Sequence, residues 1–367
     1  MEDVSESSGT VAFAGFGGVT SAGLTAAQTV NAVLAGCPRL AHSRRHPSAR
    51  TGEDIKVARL MCLDDAMSIE ERIVALGRHA LKEALDASRE TLDAVPATRS
   101  RVPVLLALPP HRVGLASQAA RRMAGEICDA HDGIDKAASR IFDTGHAGFL
   151  AALAAAGRLI RTRRYDACVV GSADSLADLD YLHWLEQSRR LKAPDAPFGF
   201  SAGEGAAFAV VHRADARADA GRPFVRIHEV GFDAEPDLWF EGQASQGHGL
   251  TSAIAQALAG RDAIDCCYGD LNGETWRSAE WDFASLRNGR QFRSPLDVRH
   301  PAEIWGDTGA ASAALNCLLA CSDLLGGVED FRQVLVFASS DVNPWRASVV
   351  LERIDAGGSH DPDRYRQ

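Results

Sequence analysis

Asp143-Thr144-Gly145-His146-Ala147-Gly148 is the stretch on which the reading of this 367-residue chain turns. It opens into an apolar run, residues 149–160, in which Phe149, Leu150, Leu153, Leu159 and Ile160 supply a buried helix face. Small residues around a single large polar one, just ahead of a helix, hold His146 at a tight turn. Gly145 relaxes the backbone there and Thr144 is placed to cap. The unpaired N–H groups of the helix start then point at whatever occupies the turn. Past the helix come Arg158, Arg161, Arg163 and Arg164, then a buried-strand signal, Ala167-Cys168-Val169-Val170, which ends at Gly171-Ser172-Ala173-Asp174.

The same pattern occurs a second time. Asp307-Thr308-Gly309-Ala310-Ala311-Ser312 leads into an apolar helix over residues 313–325 and a strand, Val334-Leu335-Val336-Phe337, ending at Ala338-Ser339-Ser340-Asp341. Turn, helix, strand and strand end match in the same order, which argues against a chance likeness of two Ala-rich helices. Two fused α/β halves are the simplest reading, residues 10–215 and 223–354, with both turns near a shared centre. The hinge between them is the Ala-, Asp-, Arg- and Gly-rich segment 212–223.

The totals narrow the function classes. A net charge of −10 argues against a nucleic-acid backbone as the main ligand. The acidic start Met1-Glu2-Asp3-Val4-Ser5-Glu6 is unlike a secretory or transit peptide, and residues 1–9 and the tail after 354 read as disordered. No apolar stretch is expected to reach the roughly 18 residues that cross a bilayer. Eight cysteines without paired spacing read as reduced thiols of a cytoplasmic protein, and no metal or cofactor is called for. Cys317 and Cys321 lie four apart on a helix, but no further ligand joins them, so they read as core.

Taken in order, residues 11–16 form a first strand and residues 25–34 a helix, while residues 38–51 are expected to be a solvated basic loop. Gly15-Phe16-Gly17-Gly18-Val19-Thr20 begins like a dinucleotide fingerprint but has Thr20 where the last glycine belongs. Residues 69–85 form an amphipathic helix and 102–108 a buried strand, and residues 181–197 read as a charged excursion. Gly199-Phe200-Ser201-Ala202-Gly203 satisfies the hydrolase pattern G-x-S-x-G, yet it feeds a strand rather than a helix, so Ser201 is not read as a nucleophile.

Several of these pieces together resemble the β-ketoacyl synthases of the thiolase superfamily. The opening strand, glycine turn and first helix are similar to that family's start. Phe198-Gly199-Phe200-Ser201-Ala202-Gly203-Glu204-Gly205-Ala206-Ala207 resembles its G-F-x-x-G-E-G-A signature, and residues 158–174 its helix and strand after the nucleophile turn. The resemblance spans roughly residues 10–353. It implies a thiolase-like α/β fold of two similar halves in layered α-β-α-β-α arrangement, which dimerises through the first half.

Those enzymes use a cysteine at the tip of the first turn, where the helix start stabilises a thiolate. Here that position falls on His146. The first assisting residue falls on or near Tyr268, and the second on Gly306 or Asp307. His146, Tyr268 and Asp307 are therefore the candidate catalytic residues. Asp270 and Asn272, at a strand end where open α/β sheets place ligands, are candidates for substrate contact, with Phe200 of the glycine signature. A helix start disfavours imidazolium, so His146 is expected to be neutral and usable as a base. Cys266 and Cys267 beside Tyr268 are read as inert strand thiols.

Two functions of different class fit. One is a non-catalytic, chain-length-factor-like subunit of fatty-acid or polyketide-type biosynthesis. It meets an acyl carrier protein or acyl-CoA and pairs as a homodimer or with a complete ketosynthase. The other is an acyltransferase or thioester hydrolase using His146 with Asp307. A plain interaction protein without acyl ligand is a third.

Overall fold

The computed structural model describes residues 10–48, 50, 52–96, 101–129, 131–214, 222–261, 263–326 and 329–355. The polar start, most of the 212–223 hinge and the tail after 355 lie outside the described residues. The first half runs β1 (Thr10–Thr20), α1 (Ala26–Leu34), β2 (Ala41–Pro47), β3 (Asp54–Ala58), α2 (Ile69–Ala87), α3 (Arg89–Asp93), β4 (Val104–Ala107), α4 (Ala119–Cys128), β5 (Arg140–Phe142), α5 (Gly148–Arg161), β6 (Ala167–Ser175), α6 (Leu179–Gln187) and β7 (Ala202–Ala214). The second runs β8 (Phe224–Ile227), β9 (Gly231–Ala234), α7 (His248–Leu258), β10 (Ile264–Gly269), α8 (Thr275–Arg287), β11 (Phe292–Arg299), α9 (Ala302–Trp305), α10 (Ser312–Gly326), β12 (Gln333–Ser339) and β13 (Trp345–Ile354).

The sheet shows the duplication directly. Its strand order is β11-β10-β12-β13-β8-β1-β7-β6-β4-β5, which reads as one pattern from either end towards the middle, where β8 meets β1. In each half the strand that follows the central helix has two parallel strands in succession on its outer side, β10 then β11 or β4 then β5, and an antiparallel strand on its inner side. The central layer is α5 and α10. Their apolar residues, including Phe149, Leu153, Ile160, Leu315, Leu319 and Leu324, share one core with β6, β7, β12 and β13. Outside the first half, α2 and α4 bury Ile73, Leu81, Met123 and Ile127; outside the second, α7 and α8 bury Leu250, Ile254 and Trp281. Helices therefore cover both faces of each half, and the layered α-β-α-β-α arrangement expected from the sequence is present.

Three local expectations need correction. The basic segment after α1 is not a plain loop: β2 pairs antiparallel with β3, and β3 runs beside β7. The charged excursion contains α6, whose N-cap Asp178 accepts from the Tyr181 backbone N–H and whose Leu182 and Leu185 are buried. Gly309–Gly326 is an apolar stretch of 18 residues, but 83% of it is buried inside the protein, as suits a helix packed between two sheets. Cys317 and Cys321 lie within that same core.

Candidate functional site

The two repeated turns meet at the centre. Each is a short 3-10 turn ahead of its helix, Gly145–Ala147 before α5 and Gly309–Ala311 before α10. Both opening glycines adopt positive φ, 62° at Gly145 and 56° at Gly309. A side chain at Gly145 would press on Ser340, and one at Gly309 on Asp174, so each turn is fitted against the strand end of the opposite half.

The glycine signature explains how the second turn is seated. Asp307 donates its backbone N–H to the Ser201 carbonyl at 2.8 Å, and its own carbonyl accepts from Gly203 N at 2.8 Å. A Cβ at Gly203 would collide with the Trp305 carbonyl. The pattern that mimics a hydrolase elbow is thus a strip of backbone left bare so that β7 can pair with the residue entering the site. Glu204 of the same signature is fully buried and held by Arg72, Ser175 and the Leu60 N–H, a structural anchor.

His146 is 3% exposed and lies between two acids. Its Nε2 is 2.9 Å from Asp307 Oδ1 and its Nδ1 is 3.4 Å from Asp341 Oδ1. Asp307 Oδ2 accepts from Asn272 Nδ2 at 2.6 Å, and Asp307 Oδ1 also accepts from Gly309 N at 2.8 Å. Asp341 pairs with Arg190 at 2.9 Å; Arg190 also grips Glu274 at 2.7 and 2.9 Å. Arg277 places Nη2 3.2 Å from His146 Nε2 and donates to Asp270 at 2.6 Å, while Asp270 accepts from Ser339 N at 2.8 Å.

Burial opposes a charge on His146, but Asp307, with Asp341 behind it and against Arg277, leaves its pKa pushed up to about 10. Burial also opposes the carboxylates, yet His146 and Arg277 hold Asp307, and Arg190 and His146 hold Asp341, below the ordinary carboxylate range. The neutral base expected from the sequence is disfavoured by this arrangement, because carboxylates facing both ring nitrogens push His146 towards the imidazolium. The helix-start dipole is outweighed by two carboxylates within ion-pair reach. In the imidazolium form that the two acids favour, both nitrogens carry protons, and the ring then offers no lone pair for attack on a carbonyl or for taking a proton.

The other candidates divide. Asn272 joins the group directly through Asp307. Asp270 joins through Arg277. Phe200, 2% exposed, lies beneath Arg190, whose guanidinium carbon is 5.3 Å from the ring centre. Tyr268 does not join. Its hydroxyl donates to Asp323 at 2.6 Å and accepts from Arg299 at 3.3 Å. Asp323 lies in the last turns of α10, eleven residues and about 16 Å along the axis from the helix start beside Asp307. A residue on β10 faces one way only, and this one faces the distant end of the central helix.

Asp341, Arg190, Arg277 and Glu274 were not singled out from sequence. Asp341 had a signal: it is the repeat partner of Asp174. That residue pairs with Arg112 at 2.7 Å and accepts from Ala310 N at 2.9 Å, on the opposite turn. Each strand-end acid thus reaches across to the other half's turn. The arginines come from α8 and the segment after α6, and no spacing tied them to the centre.

No protein-family model matches the chain, and no curated protein sequence matches it. Solved structures do. A type II polyketide synthase ketosynthase in complex with its acyl-carrier protein, bound to the hexaketide (AntDE:AntF), superposes with a TM-score of 0.74 at 14% identity, covering 95% of this chain and 100% of that one. The ishigamide ketosynthase/chain length factor gives 0.65 at 20% identity over 94% and 100%. The oxazolomycin ketosynthase domain of Streptomyces albus gives 0.72 at 15% identity over 96% and 75%. With its repeated strand order and its two central helices meeting at paired turns, the chain has the thiolase-like fold of the ketosynthases.

Proposed function

We propose that this chain is a non-catalytic, ketosynthase-like subunit of polyketide-type biosynthesis, comparable to a chain length factor, which pairs with a complete ketosynthase or with itself and acts on acyl chains by shape rather than by bond-making. The observation that carries the reading is the engagement of both His146 nitrogens by Asp307 and Asp341 at the position where the resemblance puts the attacking sulfur. A nucleophile or base needs a free electron pair, and a carboxylate facing each ring nitrogen favours a proton on both. Two of the similar structures are a ketosynthase with its acyl-carrier protein and a ketosynthase/chain length factor, which supports carrier-borne acyl chains as the chemical setting.

The test is incubation of the purified full-length protein with acetyl- and malonyl-N-acetylcysteamine thioesters, read by thiol release and intact mass. The expected result is background release and no acyl adduct. Sustained release that disappears in His146→Ala would establish instead an enzyme built on His146 and Asp307.

A further inference from the structure

A groove of about 480 Å³ lies between the turn that leads into α1 and the connection from α1 to β2, lined also by Arg59 and Met61 of the segment after β3. The chain itself fixes its walls. Thr20 and Gly23 exchange backbone bonds at 2.9 and 3.1 Å, and Arg39 N donates to the Ile304 carbonyl at 2.8 Å. A preformed concavity of this size suits a small molecule.

Its chemistry is one-sided. Two arginines line it and no acid does. Arg59 is met by Asp65 at 3.3 Å, whereas Arg39 is exposed and, among the described residues, its guanidinium has no partner. The first N–H groups of α1 are already taken, Ala26 N by Glu83 and Gln28 N by the Thr25 hydroxyl. Gln28 Oε1 accepts from Leu24 N at 2.9 Å, which leaves the Gln28 amide nitrogen as a donor. The Ser21 hydroxyl is buried without a partner, in a protein interior where such groups are nearly always satisfied. The rest is aliphatic: Leu24 and Met61 are 45% and 83% exposed, and Leu40 is half-buried. No aromatic ring lines the groove, so a nucleobase or other flat ring has nothing to stack on.

We propose that this groove binds a free aliphatic monocarboxylate, its head on Arg39 with Gln28 and Ser21 and its chain along Leu24, Leu40 and Met61. One surplus guanidinium matches a single negative charge, and its planar fork matches a carboxylate. A phosphate dianion would be only half neutralised, and an amine would be repelled. None of these residues belongs to the group around His146, so the inference does not rest on the subunit reading.

The test is isothermal titration calorimetry of the full chain. Octanoate should bind at a single saturable site. Hexanoate, two methylenes shorter, should bind roughly tenfold more weakly. Inorganic phosphate and octylamine should give no saturable heat. Arg39→Gln should weaken octanoate about tenfold, Arg39→Lys should recover part of that loss, and Met61→Asp should abolish binding. Both positions are exposed, and circular dichroism checks that the variants are folded. A folded wild-type chain that does not bind octanoate saturably would overturn the proposal. So would an octanoate affinity unchanged in both Arg39→Gln and Met61→Asp, which would place the acid elsewhere. Phosphate bound as tightly as octanoate would overturn it too, by reducing the groove to a simple ion site.

Discussion

The turns at 143–148 and 307–312 share backbone, glycine and helix, yet they distribute their polar residues in opposite ways. The first buries His146 and leaves Asp143 exposed; the second buries Asp307 and has Ala310 where the histidine would stand. The difference follows from what each turn abuts. Asp307 enters beside β7, paired to the bared backbone of Ser201 and Gly203, with no water to satisfy it. Asp143 follows β5 at the open edge of the sheet, where solvent does. A duplicated scaffold therefore fixes where the chain goes, while the neighbours of each copy fix which letter of the shared motif carries charge into the centre.

This comparison is broken most forcefully by truncating the two aspartates in turn. Asp307→Ala leaves a buried imidazolium short of its closest acid and should cost about 3–5 kcal/mol in urea unfolding. A loss under 1 kcal/mol would mean the pair is not buried as described. Next in size, Ala310→His writes the first turn's histidine into the second. Ala310 is 1% exposed and Asp174 is already occupied by Arg112, so overpacking should cost about 1–3 kcal/mol. Stabilisation would show that the second turn can accept the first turn's chemistry. Tyr268→Phe should cost about 1.5 kcal/mol through the lost bond to Asp323. It should leave the titration of His146 unmoved, and a shift there would bring Tyr268 back to the centre. Smallest of all, Asp143→Ala should stay within about 0.5 kcal/mol, as exposed substitutions do.

Much of this was legible because the decisive features are periodic or repeated. The turn–helix–strand sentence written twice carries the fold, since a buried helix and a buried strand each leave an apolar signature at their own spacing. It also brings His146 and Asp307 together, because each belongs to the short turn that opens one of the two central helices, and those two turns abut. Tyr268 was drawn in by its place next to a glycine at a strand end, but a strand shows successive side chains to opposite faces, and the local pattern did not say which face held the site. Arg190 and Arg277 arrive from separate excursions, and pairing across such distance leaves no mark in spacing. The second acid beside His146 went unread for the same reason: the helix start is local and visible, while Asp341 is 195 residues away.

The central claim is that His146 is a fixed imidazolium, and its charge has a consequence for stability. A folded pKa near 10, against about 6.5 for a free histidine, gives a contribution that is whole below about pH 6.5 and fades as pH rises toward 10. The most direct measurement is an NMR titration of the protein with ¹⁵N-labelled histidine rings, with His146 assigned by comparison with His146→Gln. The account predicts that both ring nitrogens of His146 keep the imidazolium signature through pH 8 and lose it only near pH 10. A midpoint near 6.5, with one nitrogen unprotonated at pH 8, would contradict it and return His146 to the role of a base.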